Sequence, residues 1–138
     1  MGHLKNKSEM NLDAAKILID DYNYFAPSVH CSYYGCFQFI KSKLNTIGHT
    51  YKEIDEAIAS SYPPLKLHAH TYPIKLMDNA LNKVNDNGFT AREFRSKIKE
   101  LKAFRTISDY HNEIVDSDKS KAALKLSQDV ISLIKKKL

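Results

Sequence analysis

Residues 26–48, "APSVHCSYYGCFQFIKSKLNTIG", decide the fold. Pro27 is accommodated near a helix start, where the N–H it lacks would be unpaired anyway, and is excluded from a helix interior. Beyond it Val29, Tyr33, Cys36, Phe37, Ile40 and Leu44 recur at three- and four-residue steps. That spacing gathers them on one stripe of an α-helix. Gly48 marks the end of the pattern. The segment reads as a helix that buries one face, so the rest of the chain must supply the surfaces it packs against.

Upstream, "SEMNLDAAKILIDDYNYF" (8–25) carries Leu12, Ala15, Ile17, Leu18, Tyr22 and Phe25 on one broad stripe. Ser8 is the expected N-cap, and residues 1–7 are expected to form a disordered tail. Downstream, "HTYKEIDEAIASSY" predicts a shorter helix over 51–61, capped by Thr50 with Glu53 three residues on and stopped before Pro63 and Pro64. "PPLKLHAHTYP" (63–73) reads as a loop, and Pro73 opens the next helix, "PIKLMDNALNKV".

"NDNG" (85–88) is the strongest turn signal in the chain. Thr90 is the expected cap of "AREFRSKIKELKAFRTISDY", with Phe94, Ile98, Leu101 and Phe104 inward. After "DSD", a last helix directs Ala122, Ala123, Leu126, Val130, Ile131, Ile134 and Leu138 inward, while Lys135, Lys136 and Lys137 complement the negative end of its dipole. No alternating strand pattern competes. The expectation is an all-α, up-and-down bundle of five or six helices with one extra helical insertion in the middle, forming a single domain over 1–138.

A chain of 138 residues, 43% hydrophobic and 27% charged, can bury a core without disulfides or metals as staples. It has no run of about 18 apolar residues, and "MGHLKNKSEM" lacks the apolar stretch of a signal peptide. We therefore expect no membrane partner and a cytoplasmic location. Cys31 and Cys36 point apart on a helix, which suits reduced thiols better than a mutual disulfide. The formal charge of +5 and pI near 9.1 permit a nucleic-acid partner without demanding one.

Two stretches together resemble the HEPN superfamily (higher eukaryote and prokaryote nucleotide-binding domains). "SVHCSYYGCFQFIKSKL" (28–44) is similar to that family's second helix, and "FRTISDYHNEIVDSDKSKAALKLSQDVISLIKKKL" (104–138) to its final helical hairpin. The resemblance implies a helical bundle that dimerises and needs no cofactor or metal. In catalytic members an arginine is followed after four to six residues by a histidine, and the pair serves a metal-independent endoribonuclease of toxin-antitoxin or defence type. Arg105 and His111 meet that spacing. The resemblance then gives His111 the 2′-hydroxyl or leaving-oxygen proton and Arg105 the phosphorane charge. Its other implication is a non-catalytic module that dimerises or holds a partner such as a nucleotidyltransferase.

Read from the residues alone, six steps on an unbroken helix turn the two side chains about 120° apart and separate them by roughly 9 Å along the axis. Convergence on one phosphate then needs a helix break near Ser108 or a homodimer. The competing arrangement is an Arg105–Asp109 pair at i+4, with His111 at the helix end. Arg92, Arg95, Lys99 and Lys102 form a basic stripe suited to an RNA backbone or merely to solvation. His30 and Tyr34 form a polar stripe opposite the core face of their helix, open between solvent, a dimer seam and a groove wall. Tyr33 and Tyr34 cannot share a face, so one belongs to the core. His68 and His70 lack a nearby carboxylate or cysteine to complete a metal shell, which favours a loop or helix-start role.

Overall fold

The computed structural model describes residues 3–60, 69–111 and 113–138. Six helices run through them: α1 (His3–Asp20), α2 (Phe25–Thr46), α3 (Tyr51–Ser60), α4 (Thr71–Asn82), α5 (Phe89–Tyr110) and α6 (Ser117–Lys137). No strand occurs among the described residues, and the chain is an all-α helical bundle. Nor is any described helix long and apolar enough to cross a membrane.

The central helix is α2, which packs against α1, α4, α5 and α6. All six residues of the stripe read from its sequence are buried, with Val29, Ile40 and Leu44 fully so. Phe94, Ile98 and Leu101 of α5, Met77 and Leu81 of α4, and Val130, Ile131 and Ile134 of α6 complete the same core. Fully burying an aliphatic or aromatic side chain of this size stabilises the fold by about 1.5–3 kcal/mol. That term, repeated across these four helices, is what holds the bundle.

Several helix starts differ from the sequence reading. α1 begins at His3, inside the expected tail, and Ser8 is not its cap. Ser8 is instead buried, and its hydroxyl donates to the Gly35 carbonyl at 2.5 Å. α1 and α2 come close at this point, because a Cβ on Gly35 would lie 3.0 Å from Leu12 and 3.2 Å from the Ser8 carbonyl oxygen. The buried stripe of α1 is Ser8, Ala15 and Ile19. Ile17 and Tyr22, expected inward, are exposed, and Phe25 belongs to α2. The connection turns through Asn23 at φ 56, a left-handed conformation that asparagine tolerates.

Thr90 likewise lies within α5 and does not cap it. Asp86 does so from the preceding turn: one carboxylate oxygen accepts from the Thr90 N–H at 3.1 Å and from the Thr90 hydroxyl. Gly88, at φ 77, lets the chain enter the helix from that turn. The expected Thr50 cap holds, with Thr50 accepting from the Glu53 N–H at 3.2 Å. α6 starts at Ser117, inside the "DSD" it was expected to follow, and Asp116 caps it by accepting from the Lys119 N–H at 2.9 Å. In α6 the inward set includes Leu124 and Ser127, whereas Ala122 and Leu138 are exposed. The expected loop over 63–73 falls mainly outside the described residues, as does His68.

Candidate functional site

Arg105 sits in the last two turns of α5, where that helix crosses α2. Its Nε donates to Asp109 Oδ2 at 3.1 Å, the i+4 pair anticipated from the sequence. Its Nη2 reaches the Tyr34 hydroxyl at 3.2 Å and, at the limit of hydrogen bonding, the Tyr110 hydroxyl at 3.5 Å. The guanidinium carbon also lies 5.1 Å from the Tyr33 ring centroid, 5.7 Å from Tyr34 and 5.5 Å from Tyr110. Three aromatic faces and a carboxylate thus hold a cation whose side chain is 18% exposed. Burial opposes its charge, but Tyr34, Tyr110, Tyr33 and Asp109 outweigh burial and raise the pKa above its ordinary value.

Asp109 binds a second partner. His30, on α2, directs Nδ1 at the same Oδ2 oxygen over 3.1 Å. The carboxylate accepts, so Nδ1 carries the hydrogen, and in the neutral ring Nε2 keeps a lone pair. The His30 side chain is 50% exposed. Its ring packs on Tyr34 with centroids 4.5 Å apart, as their i+4 spacing suggested. The stripe read as solvent, seam or groove wall is therefore one wall of the Arg105 site. Tyr33 is the core member of the tyrosine pair, 1% exposed, and still offers its ring to Arg105.

The structure does not bring His111 to Arg105. α5 stays helical through Ser108 and ends at Tyr110, and His111 is its C-cap in extended backbone at φ −98 and ψ 146. Among the described residues no hydrogen bond, ion pair or ring contact joins the two side chains. The break that convergence required falls too late in the helix, and the histidine gathered beside Arg105 is His30.

The basic stripe also divides. Arg92 turns back to the Asn87 carbonyl at 3.0 Å. Arg95 is bound by Asp78 of α4 at 2.7 Å. Lys99 and Lys102 line a groove between α4 and α5 of about 550 Å³, together with Ile74, Lys75 and Ile98. Among the described residues Lys75, Lys99 and Lys102 form no ion pair, so three uncompensated cations border it.

Sequence reasoning missed two members of the site. Tyr110 had only its place beside Asp109 to point to it. His70 was assigned a helix-start role, and it does precede α4, but its side chain makes no cap hydrogen bond. Its ring instead packs on Phe37 at 4.5 Å, and Nδ1 lies 3.3 Å from the Tyr33 hydroxyl. Among the described residues no cluster of three or more His, Cys, Asp or Glu side chains could hold a metal ion. No protein-family model, no curated protein and no solved structure matches this chain.

Proposed function

We propose that this chain is an RNA-associated protein of HEPN type whose phosphodiester site is built on Arg105, and that it cleaves RNA without a metal ion. The observation that carries the reading is the shared carboxylate: Asp109 Oδ2 accepts from both Arg105 Nε and His30 Nδ1. A carboxylate that fixes Nδ1–H leaves imidazole Nε2 as a proton acceptor, and a guanidinium beside it is suited to a phosphorane. In this reading His30 Nε2 takes the 2′-hydroxyl proton as that oxygen bonds to phosphorus, Arg105 binds the nonbridging oxygens, and the P–O5′ bond breaks with the proton passing from the imidazolium to the leaving 5′-oxygen. The second Nη group of Arg105 has no hydrogen-bond partner among the described residues. Lys99 and Lys102, in the adjoining groove, attract the flanking phosphates.

His30 thus takes the role the resemblance gives to His111. The Arg105–His111 pair needs a homodimer in which each copy's His111 reaches the other's Arg105. Cleavage of a mixed pool of structured and single-stranded RNA in EDTA distinguishes these arrangements. The shared-carboxylate reading expects activity that Arg105→Ala and His30→Ala each reduce by a hundredfold or more, with His111→Ala close to wild type. Loss of activity in His111→Ala, with His30→Ala intact, would transfer the role to the dimer arrangement.

A second reading is a non-catalytic module that binds a partner protein such as a nucleotidyltransferase. One observation favours it: Tyr110, against Arg105 at the end of α5, is 70% exposed, and Ile114, four residues on, is 85% exposed. Large apolar side chains so placed suit a protein interface. An inert wild-type protein in the same RNA assay would favour that module.

A further inference from the structure

We propose that His70 is a second phosphate-binding residue of the Arg105 site, offering a neutral N–H donor from Nε2 to a phosphoryl oxygen of RNA; this rests on the reading that Arg105 binds RNA. The ring is held in place by tilted and edge-on contacts with three aromatic rings. Its centroid lies 4.5 Å from Phe37, 5.3 Å from Tyr34 and 5.7 Å from Tyr33. Arg105 lies over the same two tyrosines, 5.1 Å from the Tyr33 centroid and 5.7 Å from the Tyr34 centroid. The two donors therefore share a platform although one comes from α5 and the other from the turn before α4.

Tyr33 fixes the tautomer. Burial pushes its phenol up to about 12, so the hydroxyl is protonated at neutral pH. Among the described residues its hydrogen-bond partner is His70 Nδ1 at 3.3 Å. A buried phenol left without an acceptor is costly, so it donates there. Nδ1 then accepts, and the ring hydrogen resides on Nε2. No described residue bonds to Nε2, and His70 is partly exposed.

The charged groups around the ring keep it uncharged. Burial first, then Arg105 and Lys102 from α5 and Lys41 from α2, hold the His70 pKa below its ordinary value. Tyr33 and Tyr34 are the other titratable groups it touches. At neutral pH His70 is thus an N–H donor in the field of three cations. That arrangement favours an arriving anion and needs no proton uptake.

The test has two arms. Imidazole nitrogen correlation spectra of the wild-type protein at neutral pH should show His70 as the Nε2–H tautomer, and its ring resonances should move on titration with inorganic phosphate. Binding of a short single-stranded RNA should weaken about tenfold in His70→Phe, which keeps an aromatic ring and loses the donor. His70→Gln, which keeps an N–H donor, should recover much of that loss. An Nδ1–H tautomer, or a His70→Phe affinity equal to wild type while Arg105→Ala abolishes binding, would overturn the role of His70 and leave that of Arg105. Wild-type protein that binds neither RNA nor phosphate would overturn both.

Discussion

Replacing Gly35 with alanine sets two effects of known size against each other. Gly35 has ordinary helical backbone in the interior of α2, so alanine should gain about 1 kcal/mol of helix propensity. The added Cβ, however, would meet Leu12 at 3.0 Å and the Ser8 carbonyl oxygen at 3.2 Å. Leu12 has little room to yield, because it packs against both apolar clusters of the bundle. The Ser8 oxygen is backbone and moves only if α1 moves. Overpacking of this kind costs typically about 1–3 kcal/mol. Displacing α1 also stretches the 2.5 Å Ser8–Gly35 hydrogen bond, whose net worth is about 1 kcal/mol. The clash and the weakened bond should together exceed the propensity gain, leaving Gly35→Ala about 1–2 kcal/mol less stable. Urea denaturation followed by circular dichroism measures this as a lower midpoint at unchanged slope. Combining Gly35→Ala with Leu12→Ala should cost less than the two changes added separately, since truncating Leu12 removes the side chain that the new Cβ would meet. A Gly35→Ala protein as stable as wild type, or more stable, would refute the tight α1–α2 approach.

Four further outcomes follow from the same geometry. Asp109→Asn should leave the fold intact and lower RNA cleavage by at least tenfold, because an amide lacks the charge that anchors Arg105 Nε and its NH2 group can donate to His30 Nδ1, so the Nδ1–H tautomer is no longer enforced; a rate equal to wild type would remove Asp109 from the site. His70 has a lowered pKa in the fold, so the stability it contributes is present above its unfolded value of about 6.5 and is lost as pH falls through the folded value. Melting temperatures from neutral pH down to mildly acidic pH should therefore fall more steeply for wild type than for His70→Gln, and parallel curves would contradict this. Burial pushes the Cys36 thiol up to about 12, so under native conditions an alkylating reagent should label the partly exposed Cys31 first and Cys36 only on unfolding; equal labelling rates would refute the buried placement. Gly88→Ala should destabilise by about 1 kcal/mol, because φ 77 strains any residue with a Cβ, and thermal melting would detect the change.

The core was legible because its signal is local. On α2, periodicity alone placed Val29, Tyr33, Cys36, Phe37, Ile40 and Leu44 inward, and all are buried. Hydroxyl caps were less legible, since a serine or threonine near a helix start satisfies whichever acceptor the fold brings near. Ser8 bonds across to Gly35, and Thr90 serves as a donor to Asp86. Of the site, the Arg105–Asp109 and His30–Tyr34 pairs lie one helical turn apart and could be read from spacing. Their union could not, because His30 and Asp109 are 79 residues apart and meet only through the packing of α2 on α5. The same is true of Tyr33 and His70, separated by 37 residues. The Arg-x5-His spacing was visible, but helical rotation and the late helix end separate its members.

The thin attachment of α3 has a consequence for how the bundle opens. Ile54 is its one buried residue, supported by Ile58 at the core margin and by a 3.7 Å Lys41–Asp55 pair to α2. A segment with so little apolar burial can detach at a free energy well below that of global unfolding. α3 should then behave as a separate foldon: its amides exchange with solvent ahead of those in α2 and α6, and a native-state protease reaches it while the remaining core stays protected.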